Sequence, residues 1–416
     1  MLRKAWRWAR DIVLGLGRFL GTDMRYIVFQ GSWLLSGQVV GNAMSFLLVL
    51  VYGNLLSKQT YGDYRYVLSL AGIFMLTSLA DMNSAVIRGV AQGFEGVYKR
   101  VIRTEITWGL LGSAGALVTA AYYYWRGNML FGWAFVVAAI AVPFFDTSNT
   151  YLYIFAGKQR FDLQARYNIL SRVVSAICVI LTIVLTKNLL AILAGYYLPY
   201  IVIGFVFGPR EFKELALNDR TDEGVIRYGK HLSLLAAFSY AVNYLDSIIV
   251  FHLLGPIQLA IFSIAQAPVS RVQGVFSVIP EIALPKLAQT EPGIMKRELP
   301  RKILKAMLIT VPIALAYIVA VPFFFRWFLP QYIDSIPFAQ VLGIPLAWYP
   351  GVLMNRALSA AGATKKLYIY NTAVSAVQLI TIFVGVYLFG IAGAVVGRVA
   401  ISLLGTLLLI PLVRRL

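Results

Sequence analysis

From Pro209 to Lys230 the chain reads PREFKELALNDRTDEGVIRYGK, with five acids and five bases. It is the one sizeable hydrophilic stretch, and the apolar sequence on either side of it decides the fold. Across 416 residues, 59% are hydrophobic and 13% charged, with a mean hydropathy of +0.74. A soluble domain carries roughly 25% charged residues, so this chain cannot build a surface that faces water on all sides. Length alone would allow two or three soluble domains; composition excludes them. The expectation is an all-α polytopic membrane protein.

A spanning helix needs about 20 mostly apolar residues. Twelve segments qualify: 27–55, 65–90, 105–125, 129–155, 167–186, 189–208, 231–254, 258–286, 303–328, 337–360, 367–389 and 391–413. Arg126–Asn128, Lys187–Asn188, Gly255–Ile257 and Gly390 are the shortest connections, and connections this short imply antiparallel neighbours. Basic residues concentrate on the cytoplasmic side of a membrane. With the N-terminus inside, 29 of the 37 Lys and Arg fall on inside segments. Five fall outside (Lys58, Arg65, Arg126, Lys187, Arg326) and three within spans (Arg271, Arg356, Arg398). Both termini are therefore expected in the cytoplasm, in the cell inner membrane. The net charge of +19 follows from these retention signals and their attraction to anionic lipid. Nucleic-acid binding is not expected, since no soluble domain presents a basic patch.

The expected organisation is an interfacial helix at 1–25, a six-helix half at 26–208, a cytoplasmic hinge loop at 209–230 and a second six-helix half at 231–416, around a central cavity. The N-terminal residues MLRKAWRWARDIVLGLGRFL place apolar side chains at helical spacing among five basic ones, as an amphipathic helix lying on the membrane requires. They lack the uninterrupted apolar run and cleavage site of a signal peptide. Cys178 stands alone, so no intrachain disulfide can form. His231 and His252 have no nearby cysteine or acidic cluster, so no metal-ligand spacing is present. No phosphate-binding glycine loop follows a strand, so no ATP-driven machine, and no cofactor, is expected.

The halves echo each other. Leu55–Gln59 and Leu253–Ile257 each end a first span, and Phe155-Ala156-Gly157 with Tyr167-Asn168 mirrors Ala360-Ala361-Gly362 with Tyr370-Asn371. Transporters are often built from such repeats, with the substrate site between them. Leu55–Tyr64 (LLSKQTYGDY) resembles the hairpin between the first two spans of the multidrug/oligosaccharidyl-lipid/polysaccharide flippase superfamily. Leu79–Arg88 resembles its second-span signature, with Asn83 in place of the usual glycine. Ala361–Lys366 and Phe389–Ala394 resemble its later junctions. The polysaccharide branch, that of the O-antigen flippases, is the nearest fit. That resemblance implies a flippase, not an enzyme, that moves a polyprenyl-pyrophosphate-linked oligosaccharide from inner to outer leaflet by alternating access, for cell-surface polysaccharide biosynthesis. Its partners would be the lipid-linked oligosaccharide, membrane lipids and glycan polymerase or assembly proteins. An ion-coupled drug or cation antiporter stays open as the alternative, and a membrane polysaccharide polymerase or ligase behind it. A polymerase or ligase needs an ordered outer site for acid–base work, which the short outer loops do not offer.

Charges inside spans are costly and usually face a cavity or a partner. They are Asp81, Arg88, Asp146, Arg172, Asp246, Arg271, Glu281, Arg356 and Arg398. Arginine forks suit phosphate oxygens, so Arg271, Arg88, Arg172, Arg356 and Arg398 are the candidate substrate-binding cations; the last four could instead snorkel to the cytoplasmic interface. Arg271 lies too deep to snorkel, rotated off a polar stripe of Ser263, Gln266, Ser270, Gln273 and Ser277, and could pair with Asp246 or Asp146. Asp81, Asp146 and Asp246 are the candidate ion-coupling carboxylates. Further stripes repeat at i, i+4, i+7: Gln38–Asn42–Ser45, Ser239–Asn243–Asp246 and Asn371–Ser375–Gln378. Gln38, Asn42, Asn243 and Gln273 are candidate contacts for sugar hydroxyls, with hydrogen bonding between helices as the other reading. Gly37-x3-Gly41, Gly89-x3-Gly93 and Gly393-x3-Gly397 read as close helix contacts.

Single cysteines placed between Pro209 and Lys230 are expected to react with a membrane-impermeant thiol reagent only after cells are opened. Labelling of intact cells would reverse the assigned orientation.

Overall fold

The computed structural model describes residues 24–79, 81–215, 218–277 and 292–414. The amphipathic stretch before Met24, and Glu281, lie outside the described residues. Fourteen α-helices are described, and no strand occurs among these residues. In order they are α1 (Met24–Leu55), α2 (Lys58–Met75), α3 (Met82–Ala91), α4 (Val97–Trp125), α5 (Met129–Phe145), α6 (Leu152–Gly157) and α7 (Phe161–Leu185). There follow α8 (Leu189–Glu214), α9 (Glu223–Leu254), α10 (Pro256–Phe276), α11 (Pro292–Phe328), α12 (Ile336–Gly343), α13 (Val352–Ala360) and α14 (Thr364–Arg414).

The turns form where short polar residues can cap helices. Ser57, Asn128, Asn188 and Asp222 each accept a hydrogen bond from the backbone of the helix they precede. Gly255 reverses the chain at φ 87°, and Pro256 starts α10. At Gly390 (φ 60°, ψ −140°) α14 doubles back, a conformation that a residue with a Cβ resists. The two legs then meet backbone to backbone at Gly385 and Gly393, where any side chain would collide.

Among the described residues, eight helices are long and apolar enough to cross a membrane, or nine if the bent pair Lys58–Ser78 and Met82–Ala91 is one span. The expected twelve differ from this count for physical reasons. The run Lys365–Arg414 of 50 residues counts once although it turns at Gly390. The helices α4 and α10 are not among the eight; the first opens on Lys99, Arg100, Arg103 and Glu105, and the second carries the polar stripe around Arg271. The stretch from Pro209 to Lys230 is mostly helix: α8 runs on through Pro209 to Glu214 and α9 starts at Glu223.

Apolar side chains point outward as well as inward. Val118, Leu308 and Ile309 are exposed, as lipid-facing residues are, and Trp125, Trp327 and Tyr387 stand exposed at helix ends expected near the outer interface. This is a multi-pass membrane protein whose interior holds the polar groups.

One end is fastened by charge. Glu95, buried between α3 and α4, pairs with Lys158 from the α6–α7 turn. Its other oxygen accepts the backbone N–H of Asn218 at 2.6 Å, while Asn218 Nδ2 donates to the Gly93 carbonyl at 3.1 Å. Lys99–Asp219 (2.7 Å) and Arg100–Glu223 (3.2 Å) extend the contact. The link between α8 and α9 is thereby held to the α3–α4 turn. Burial would raise the Glu95 carboxyl, but the bonds from Lys158 and Asn218 hold it below the usual carboxylate range. A depressed folded pKa stabilises above the unfolded value and stops doing so as pH falls through the folded one. Glu95→Gln is expected to cost about 2 kcal/mol at neutral pH and nothing at strongly acid pH. Thermal unfolding of the purified variant against pH checks this; equal stability at pH 7 would refute it.

Candidate functional site

Two helix breaks build the site. At Pro143 the α5 ladder loses a donor, and after Phe145 the chain passes through Asp146 into a tight turn at Thr147–Asn149 before α6. The hydroxyl of Thr147 donates to the Pro143 carbonyl (3.0 Å), and Asn149 Nδ2 to the Phe145 carbonyl (3.0 Å). Across from it, α2 ends in a tight turn at Leu76–Ser78, and Leu79 takes the left-handed conformation (φ 62°) before Asp81 and α3. A non-glycine residue there costs of order 1 kcal/mol and tends to mark function. Each break presents a carboxylate to the interior.

Three adjoining cavities follow. The largest, about 510 Å³, is lined by α2 with Arg65, Ser69 and Gly72, by Asp146, by Tyr196 and Tyr197 of α8, and by Tyr240, Asn243, Tyr244 and Ser247 of α9. A second, about 460 Å³, shares Phe145, Asp146, Tyr196 and Tyr240 with it and adds Asp81, Asn149, Asn168, Arg172 and Tyr200. A third, about 240 Å³, shares Asn243 with the first and is walled by Gln266, Ser270, Gln273, Gln378 and Arg398. Asp81 accepts a bond from the Tyr240 hydroxyl at 3.3 Å. Asp146 makes no ion pair among the described residues.

Asp246 does not pair with Arg271 or face the cavity alone. It is fully buried, and Arg398 grips one of its oxygens through Nε at 2.7 Å and through a second nitrogen at 2.5 Å. Gln378 donates to both its oxygens (3.4 and 3.3 Å), and Arg398 also donates to Gln266 Oε1 at 2.8 Å. Arg398 therefore does not snorkel: it ties α9, α10 and both legs of α14 together.

Arg271 faces elsewhere. The stripe Gln266–Ser270–Gln273 lines the third cavity, and Arg271 projects from the other side of α10 into electrostatic reach of Tyr61, Arg65 and Arg172. Its Nε is buried without a hydrogen-bond partner among the described residues. Arg65 donates to Ser263 Oγ at 3.3 Å. The guanidinium of Arg172 lies against Gly41 of α1, where a side chain would displace it. One residue on, Asn42 faces Gly274 of α10, with Gln38 beside it. Arg65, Arg172 and Arg271 thus converge from α2, α7 and α10, and none has a carboxylate partner among the described residues.

The other two candidates stand apart. Arg88 is exposed on α3, its guanidinium 5.1 Å from the Tyr228 ring centre, and Arg356 is half-buried on α13; neither lines these cavities. Sequence reasoning missed Arg65, placed outside the membrane because the second span was started at residue 65, whereas α2 begins at Lys58. It also misses Glu105, the first residue of the expected span 105–125, which is buried in α4 with its carboxylate accepting from Thr150 at 2.8 Å. The cavity tyrosines went unread because tyrosine counts as apolar.

Removing one member of a buried ion pair leaves an uncompensated charge, at about 3–5 kcal/mol. Asp246→Asn is expected to lower membrane abundance sharply, and Asp246→Asn with Arg398→Gln to restore much of it. Abundance measured by quantitative blotting checks this. Rescue by Arg271→Ala instead would contradict the pairing.

Residues 28–291 match the family described as polysaccharide biosynthesis protein. No curated protein matches the chain. Among solved structures, it resembles an inward-facing multidrug resistance MATE family transporter of the MOP superfamily, with 13% identity over 91% of this chain and 94% of that one, at a TM-score of 0.67. Lipid II flippase MurJ in an inward closed conformation is similar at 12% identity over 92% and 86%, with a TM-score of 0.67. A MOP superfamily transporter from Pyrococcus furiosus, described as having a binding pocket of reverse polarity, aligns at 13% identity over 93% and 94%, with a TM-score of 0.54. At these identities the likeness is one of fold. The family match runs through α1 to α10 and so takes in both breaks and the three converging arginines; the chain belongs to the polysaccharide biosynthesis protein family.

Proposed function

We propose that this protein is a flippase that carries a polyprenyl-pyrophosphate-linked oligosaccharide from the inner to the outer leaflet of the cell inner membrane, its twelve crossings forming two six-helix halves that alternate around the central cavity. The observation that carries the reading is the convergence of Arg65, Arg172 and Arg271, without carboxylate partners among the described residues, beside a polar cavity. An unpaired cation inside a membrane is expensive, and an anionic cargo with phosphate oxygens is the partner that matches three guanidinium forks. Family membership supports a role in polysaccharide assembly.

Asp81 and Asp146 line the cavities together with Arg65 and Arg172 and are the proposed coupling groups. Bringing a pyrophosphate next to them raises the cost of their negative charge, so cargo entry favours uptake of a proton or a small cation at one of them. Asp246 is assigned to architecture, since Arg398 already satisfies it. Gln38, Asn42, Asn243 and Gln273 supply polar walls for the glycan.

In a strain deleted for the gene, the lipid-linked intermediate is expected to accumulate on the inner leaflet, and the wild-type gene to restore surface glycan. Arg271→Ala should abolish export with protein abundance unchanged, because Arg271 has no carboxylate partner among the described residues to be left unpaired. Arg271→Lys keeps the charge without the fork and should fall between. Wild-type export from a stable Arg271→Ala protein would remove the phosphate-binding role.

A further inference from the structure

Four tyrosines face the shared volume from two helices, Tyr196 and Tyr200 of α8 and Tyr240 and Tyr244 of α9, each pair at i, i+4 and so stacked on one helix face. The two helices pack on α2 and on other neighbours rather than on each other, which puts the cavity between the two pairs. The walls differ. Phe145 braces the α8 pair, with ring centres 5.4 Å from Tyr196 and 5.4 Å from Tyr200. The α9 pair has no ring partner among the described residues, and Tyr240 and Tyr244 are 40% and 37% exposed. Tyr244 lies against Gly72 of α2, where a Cβ would run into its ring.

We infer that these tyrosines form a clamp that stacks on the pyranose rings of the cargo, so that the protein selects lipid carriers bearing sugar over the bare polyprenyl pyrophosphate. The inference rests on the flippase reading and names what the part of the cavity beyond the arginines recognises. A pyranose has apolar C–H faces and a rim of hydroxyls. The C–H faces suit aromatic rings, and the rim suits the polar groups between the two walls: Asn243, Ser247, and the Asp81 carboxylate to which Tyr240 donates. A volume of about 510 Å³ is of the size that holds a small ligand. Tyrosines that served only as filler would be closed off; Tyr240 and Tyr244 each keep more than a third of their surface exposed and line the cavity.

The test uses purified full-length protein in lipid nanodiscs and two probes: polyprenyl pyrophosphate without sugar, and the lipid-linked oligosaccharide extracted from the deletion strain. Wild type is expected to bind the glycosylated lipid more tightly. Tyr244→Leu should weaken that binding by about tenfold and leave the sugar-free lipid within about twofold, while Tyr244→Phe, which keeps the ring, stays near wild type. Tyr240→Leu provides a second ring should Tyr244→Leu prove unstable. Equal loss for both lipids, or a Phe variant as weak as Leu, would overturn the clamp. Wild type binding both lipids equally would end the clamp and leave the flippase reading standing; wild type binding neither would end both.

Discussion

The cost of charge in hydrocarbon governs this structure. An ion that leaves water for the bilayer interior must find a counter-ion or keep its water, and the protein does both in different places. Asp246 has given up water entirely, and it is tolerated because Arg398 and Gln378 replace the lost solvation with three helices' worth of fixed geometry. Arg65, Arg172 and Arg271 have no such partners among the described residues, and two of the three line the polar volume. The first arrangement closes a helix junction. The second keeps one open, because hydrophobic collapse onto unpaired guanidinium groups would strand their charge.

Broken helices follow from the same constraint. Backbone groups released at Pro143 and around Leu79 cannot be left bare in a membrane. Ser78 donates to the Val142 carbonyl at 3.3 Å, tying one break to the other, and Thr147 and Asn149 satisfy the carbonyls of the second turn. The carboxylates of Asp81 and Asp146 sit where the ladder is already interrupted, so polar backbone and polar side chain share one cavity. The proposed coupling groups lie at the few places where regular structure stops.

What was legible in the sequence is what depends on neighbours along the chain. Asn128, Asn188, Gly255 and Gly390 marked the tight reversals because capping and left-handed backbone are local properties. Arg271 was read as off its polar stripe from helical spacing alone, and its side chain does point away from Gln266, Ser270 and Gln273. Pairing across helices was not legible: a helical wheel gives the direction of Asp246 but not which of several arginines is opposite, and Arg398 is 152 residues away. Arg65 was lost to a different cause. The segment TYGDYRY is amphipathic, so an apolar window starts the span late and assigns its arginine to a loop, although Tyr61 and Tyr64 are buried and the helix is already under way at Lys58.

The sign of the cavity separates the two transport readings. A cation antiporter gains from carboxylates that attract its cargo and loses from each guanidinium that repels it; even at an effective dielectric of 20, two like charges 4 Å apart cost about 4 kcal/mol. Here Asp81 and Asp146 share the interior with Arg65, Arg172 and Arg271. A cation entering would approach three guanidinium groups that have no carboxylate partner among the described residues, whereas an anion would bring them counter-charge. An anionic head with a polar body would relieve the constraint that shapes the interior, which a cationic drug would aggravate, and this favours the proposed reading over the antiporter one.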